Sequence, residues 1–192
     1  CYPHLLEESR FVGAVYSVLT SVLKVAATGA DWRRVRLTFQ EFFERLGKDP
    51  VRWGRPASAL LGALWVQLRL GLGAIGGKDS MSGSFEKLDV PPTLISFALA
   101  PADARGLLTN VLDAGKDVGL IRMKRLPDGM PDLAFAAKLM TALHDAAAAG
   151  DIDFCQVVGD GGDAAAIAVA CFGNGTGFAY DSPREGRLLN AQ

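Results

Sequence analysis

At 192 residues, with 20 basic and 21 acidic side chains, the chain has a formal net charge of −1. That balance excludes the dense positive surface on which nucleic-acid or anionic-membrane binding relies. A hydrophobic content of 49% against 21% charged residues belongs to a globular protein with much buried surface, enough for one large domain or two small ones.

Three scattered cysteines, Cys1, Cys155 and Cys171, are too few for a disulfide frame or a zinc site. Cys155 and Cys171 lie in apolar runs and read as small core residues of a protein in the reducing cytoplasm. The longest uncharged run, Pro56 to Leu68, is shorter than the roughly 20 residues a membrane span needs. His4, Glu7 and Glu8 replace the basic-then-apolar opening of a signal peptide. The chain opens on Cys1 and not on methionine, which reads as a segment of a longer protein.

From Phe11 to Ala27, Phe11, Val15, Val18, Val22 and Val25 recur at helical spacing, with Lys24 the only interior charge and Gly29 a stop. Thr38 and Glu41 make a capping-box pair, and Phe39, Phe42, Phe43 and Leu46 follow at i, i+3, i+4 and i+7 before Gly47. This predicts a short amphipathic helix. Pro56 starts a third helix, predicted to run to about Leu72, with Ala57, Leu60, Leu61, Leu64, Leu68 and Leu72 on its inward face.

The stretch GLGAIGGKDSMSGSFEKLDVPPTLISFALA, Gly71 to Ala100, runs from the end of that helix through a predicted glycine-rich loop into a strand over Thr93–Leu99. Lys78, Asp79, Ser80 and Ser82 sit in the loop. Glycines permit close backbone approach, Lys78 brings positive charge, and Asp79 is suited to a hard cation. These residue types fit a phosphate or its magnesium. A structural loop in which Asp79 caps backbone amides and pairs with Lys78 would look the same.

Pro101 to Arg105 breaks the apolar run and marks a domain boundary, with residues 1–101 before it and 102–192 after it. Beyond it the sequence predicts a helix from Ala104 to Ala114, a strand from Asp117 to Met123 and a turn at LPDGMPD. A helix capped by Asp132 runs to Ala149, with Leu133, Ala136, Leu139, Met140 and Leu143 inward. A strand from Ile152 to Val158 leads into GDGGD, a helix follows over Asp163–Phe172, and Phe178–Tyr180 begins another strand. The class is α/β.

Three nucleotide patterns compete. A P-loop at Lys78 fails, because Leu72 and Asp79 occupy positions that need glycine and a hydroxyl. Gly159, Gly161 and Ala164, with Asp181 beyond, match a dinucleotide fingerprint, although no room remains for the βαβ units that complete such a site.

The third is a family likeness. KVAATGADWRRVRLTFQEFFERLGKDPVRWGRP, LGLGAIGGKDSMSGSFEKLDVPPTLISFA and, more loosely, GDGGDAAAIAVACFGNGTGF resemble phosphoribosylformylglycinamidine synthase, the formylglycinamide ribonucleotide amidotransferase. The similarity runs from about Phe11 to Phe178. It places the chain in the second of two aminoimidazole-ribonucleotide-synthetase-like repeats of the large single-chain form, spanning the later part of an A domain and the start of a B domain.

The resemblance implies ATP and Mg²⁺ as cofactors, a nucleotide substrate, and conversion of a formamide to an amidine with glutamine-derived ammonia. It implies as partners the first repeat, where the family's catalytic histidine lies, and a glutaminase domain. Neither His4 nor His144 matches the former, His144 reading as a surface residue, so no catalytic residue is assigned here. Nucleotide or phosphate contacts fall on Lys78, Asp79, Ser80 and Ser82, with Asp160, Gly161 and Gly162 facing them, and Asp79 is the metal candidate. In many relatives the B-domain loop reads H-D-x-S-D-G-G. Here Val157 stands at the metal-binding aspartate and Gly159 at the serine, which keeps a structural, non-catalytic repeat open as the alternative.

Overall fold

The computed structural model describes residues 2–180; Cys1, Asp181 and the polar stretch after it lie outside them. A two-turn helix α1 (Pro3–Glu8) leads into α2 (Arg10–Ala26), and a 3₁₀ turn at Trp32–Arg34 leads into strand β1 (Arg36–Phe42). Helix α3 (Pro50–Leu70) and strand β2 (Gly73–Ser80) follow, then a small β3–β4 hairpin (Ser84–Phe85 and Leu88–Asp89) and strand β5 (Thr93–Leu99). The sheet order is β2-β1-β5, with β1 parallel to β2 and antiparallel to β5. Helices α2 and α3 pack together over one face of it.

The segment predicted as an amphipathic helix from Thr38 is therefore the central strand. Leu37, Phe39, Glu41 and Phe43 alternate onto the covered face, with Leu37 and Phe43 fully buried. The same residues satisfy a 3.6-residue pattern and a two-residue one. Hydrogen bonding to strands on both sides decides for the second, because it satisfies the backbone of aromatic and β-branched residues that a short helix holds poorly.

Helix α3 begins earlier than predicted. The Asp49 carboxylate accepts from Val51 N at 2.9 Å, Pro50 occupies the first turn, and Pro56 lies inside the helix. Its faces are also reversed. Pro56, Ala59, Gly62, Ala63, Val66 and Leu70 are buried, whereas Leu60, Leu61, Leu64 and Leu68 point outward, Leu68 at 74% exposure. Small residues win the inner face because α2 and α3 approach closely. A Cβ on Gly62 would lie 2.3 Å from the Phe11 carbonyl oxygen.

The glycine-rich stretch around Lys78 is the edge strand β2, not a loop. Strand β5 forms over Thr93–Leu99 as predicted.

After β5 the predicted alternation thins. Ala104–Gly106 is a single 3₁₀ turn and not a helix to Ala114, and 117–123 forms no strand. Residues 152–158 contribute only a bridge, Phe154 to Thr109, and 178–180 form no strand. Among the described residues these segments lack a neighbouring strand, so their apolar runs have no ladder to join. The helices fare better: α4 (Leu133–Ala149) is capped by Asp132, which accepts from Phe135 N at 2.9 Å, and ends at Gly150 in the left-handed region. Helix α5 spans Gly162–Phe172.

The main core joins Leu6, Val15, Val18, Val22, Leu37, Phe43, Val66 and Leu94 with Leu133, Ala136 and Met140 of α4. Trp32 Nε1 donates to Thr141 Oγ1 at 3.1 Å, and Tyr16 Oη donates to the Gly129 carbonyl at 2.7 Å, so α4 and the turn before it dock on α2 and its exit. His144, expected at the surface, is half-buried with Nδ1 2.8 Å from the Gly29 carbonyl. A smaller cluster gathers Leu112, Ala170 and Cys171 with Val118, Phe154, Ile167 and Phe178.

Candidate functional site

Strand β2 sits beside the carboxyl-terminal half of β1. Gln40 pairs with Lys78, Glu41 with Asp79 and Phe42 with Ser80. Side chains alternate along a strand, so Lys78 and Ser80 share the open face with Phe42, whereas Asp79 shares the covered face with Glu41. Lys78 Nζ donates to Ser80 Oγ and lies 5.8 Å from the centre of the Phe42 ring. Lys78 and Asp79, adjacent in sequence, therefore address opposite faces of the sheet. Ser82 is exposed just beyond the strand.

The chain then turns tightly at Gly83, whose N–H donates to the Phe43 carbonyl at 3.0 Å. A Cβ there would meet Val90 Cγ1 at 2.2 Å. One glycine of GGKDSMSG is thus required by packing and not by a ligand.

Glu41 is the residue the sequence reading overlooked as a site. It is 2% exposed, and its Oε1 is buried without a hydrogen-bond partner among the described residues. Burial first, and the Asp79 carboxylate second, push its pKa up from 4.5 to about 7. The available signal was Leu37-x-Phe39-x-Glu41-x-Phe43: a carboxylate inside an apolar every-other-residue row. Three residues on, buried Glu44 is answered by Arg55, Nη1 to Oε1. Glu41 has no such answer.

Asp160, Gly161 and Gly162 lie elsewhere, where α5 begins. Gly161 adopts φ +87°, and the Gly162 N–H donates to the Gly159 carbonyl at 3.0 Å. Asp160 lines a cavity of about 790 Å³ together with Lys24 and Thr28 of the α2 end, Asn110, Gln156 and Val157, and no residue of β2 takes part. Lys24, noted only as a charge inside a helix, and Gln156, whose Oε1 is buried without a partner among the described residues, are further residues of that cavity missed from the sequence.

The dinucleotide fingerprint loses its context, because Gly159 follows a bridge and not a strand, and Asp181 lies outside the described residues.

For a magnesium ion, the described residues contain no cluster of three histidine, cysteine or carboxylate side chains. The cavity offers the Asp160 carboxylate with apolar Val157 close by. The fit is better at β2, where the orphaned Glu41 oxygen and Asp79 lie on neighbouring strands of one sheet face. Magnesium commonly uses one or two protein carboxylates and keeps several waters.

Fold and site together define an α/β unit: a mixed sheet covered by helices on one face, with a polar GGKDS edge strand. No protein-family model and no curated protein sequence matches the chain. Solved structures do. Thermotoga maritima PurL complexed with ATP is similar with a TM-score of 0.61 at 17% identity, over 86% of this chain and 27% of that one. The same protein complexed with AMPPCP gives 0.58 at 18%, over 83% and 26%.

Thermotoga maritima phosphoribosylformylglycinamidine synthase II gives 0.53 at 18%, over 72% and 21%. The chain therefore has the fold of part of phosphoribosylformylglycinamidine synthase, and the resemblance carried by its sequence strings extends to its three-dimensional structure. It spans about a quarter of the length of the solved structures it matches.

Proposed function

We propose that this chain is part of an ATP-dependent carbon–nitrogen ligase of purine biosynthesis, converting formylglycinamide ribonucleotide to its amidine with glutamine-derived ammonia. It corresponds to the second aminoimidazole-ribonucleotide-synthetase-like repeat, with residues 1–101 from the A domain and 102–192 from the B domain. The observation that carries this reading is the fold likeness to PurL over 86% of the chain, in which the GGKDS string occupies one defined edge strand. The first repeat and the glutaminase domain are its partners in the same enzyme. None of the described helices is long and apolar enough to cross a membrane, and the scattered thiols suit the cytoplasm.

In this reading Lys78 neutralises phosphate oxygens, with Ser80 holding its ammonium in place and Ser82 orienting a further oxygen. Asp79 is the metal candidate, on the face of the sheet opposite to Lys78, where it would hold Mg²⁺ apart from the phosphate that Lys78 contacts. Asp160, Gly161 and Gly162 serve a second contact region at the start of α5. A structural, non-catalytic repeat is the second reading. Val157 favours it, because a valine in the cavity wall takes the place at which the family likeness puts a metal-binding aspartate.

The deciding experiment is ATP affinity in the full-length parent enzyme, compared between the natural sequence and Lys78→Met. Loss of a charge-assisted contact of about 1.5–3 kcal/mol weakens binding roughly tenfold to a hundredfold. Unchanged ATP affinity at every site would leave the structural reading.

A further inference from the structure

We infer that Glu41 and Asp79 form a binding site for one hard divalent cation of the magnesium class at the edge of the sheet. This rests on the reading of Asp79 as a magnesium contact and adds Glu41, which neither its sequence context nor the resemblance assigned.

A pair of carboxylates alone would be an ordinary feature of a surface. The independent observation is the state of Glu41. It is 2% exposed, and Oε1 is buried with no donor among the described residues. A buried acceptor without a partner costs about 1–3 kcal/mol, more if charged, so such groups mark places where something else completes the bonding. The cross-strand register puts Glu41 level with Asp79 on the covered face, and that neighbour worsens the charge.

Arg55 serves Glu44, Arg52 serves Asp89, and Lys78 points to the other face beside Ser80. What remains is a two-carboxylate acceptor set with one buried member and one on an exposed edge strand. That suits an ion held by two protein oxygens which keeps its outer waters. A soft or tetrahedral metal has no claim, because no thiol or imidazole belongs to the pair.

The test uses Mn²⁺ as a paramagnetic stand-in, titrated into the 192-residue chain without nucleotide and followed by loss of the free-ion resonance signal. One equivalent should bind and be displaced by Mg²⁺. Asp79→Asn and the isosteric Glu41→Gln should each weaken it at least tenfold with circular dichroism unchanged. Asp103→Asn, which removes an exposed carboxylate already paired with Arg105, should leave it as it is. No bound equivalent, or affinity indifferent to both Glu41→Gln and Asp79→Asn, overturns the inference. Because nucleotide is absent, failure of ATP to bind the parent enzyme would count against the proposed function alone.

Discussion

Glu41 and Asp79 stand opposite one another on adjacent parallel strands, one buried and unanswered, the other on an exposed edge. The Asp79 carboxylate is a like charge on the same sheet face and disfavours ionisation of Glu41. Burial is the larger cause, and together the two push the Glu41 carboxyl up to about 7.

The consequence for stability has a definite sign. Glu41 is raised from 4.5 to about 7 on folding, so between those values the folded chain holds a proton that the unfolded chain has released. Stability should therefore fall as pH rises from about 4.5 to 7 and level off above, by an amount of about 3 kcal/mol. Glu41→Gln should abolish this slope and be the more stable protein at pH 8. Urea unfolding across this range, with a chelator present, measures it. A slope unchanged in the variant would show that Glu41 ionises normally.

Asp79→Ala is expected to act in the same direction and more weakly. Among the described residues the Asp79 side chain makes no hydrogen bond that would serve as a cap, so its removal costs no cap energy and relieves Glu41 of a neighbouring charge. The thermal midpoint at pH 8 should stay level or rise. A fall of the size a lost cap produces, about 0.5–2 kcal/mol, would mean that Asp79 anchors the backbone after all.

Gly83→Ala tests the turn after β2. The added Cβ would lie 2.2 Å from Val90 Cγ1 and 2.9 Å from the Phe43 carbonyl oxygen, so the strand end must shift. Overpacking of this kind costs typically about 1–3 kcal/mol. Gly76→Ala, where the same atom meets nothing within 4 Å, should cost much less. Denaturant midpoints of the two variants, compared side by side, give the difference.

Outward-facing Leu60, Leu61, Leu64 and Leu68 on α3, together with Ile75, Phe97 and Leu99 on the sheet, leave large apolar side chains exposed. Contiguous patches above a few hundred Å² signal a partner or aggregation. The isolated chain should therefore self-associate, and sedimentation over a range of concentrations will show it. Phe97→Lys and Leu64→Glu separate the two faces by which of them restores the monomer. Monodisperse monomer for the unaltered chain would contradict the expectation.

The isolated chain should also make no amidine from ATP and formylglycinamide ribonucleotide, whether glutamine or ammonia is supplied. The resemblance places both the glutaminase and the catalytic histidine in other domains. A product assay with ammonia is the stringent form, since turnover above background would locate the chemistry here.

Local signals alone determined several features of this protein. Asp132 and Gly150 bound α4 through chemistry confined to their own turns, a carboxylate on an amide and a left-handed stop. The dense run Thr93–Leu99 is a strand however its neighbours are arranged, and the GGKDSMSG string carried the likeness that the fold shares. Tertiary structure decided what depended on neighbours. Leu37 to Phe43 satisfies both a helical and a strand period, and only flanking β2 and β5 select the strand. Helix α3 has leucines on one side and small residues on the other, and the close approach to α2 at Gly62 turns the leucines outward. Glu41 became a site for the same reason: an isolated sequence shows a glutamate near a helix start, whereas a sheet puts it under a covered face beside Asp79, where solvation and charge are set by residues nearly forty positions away.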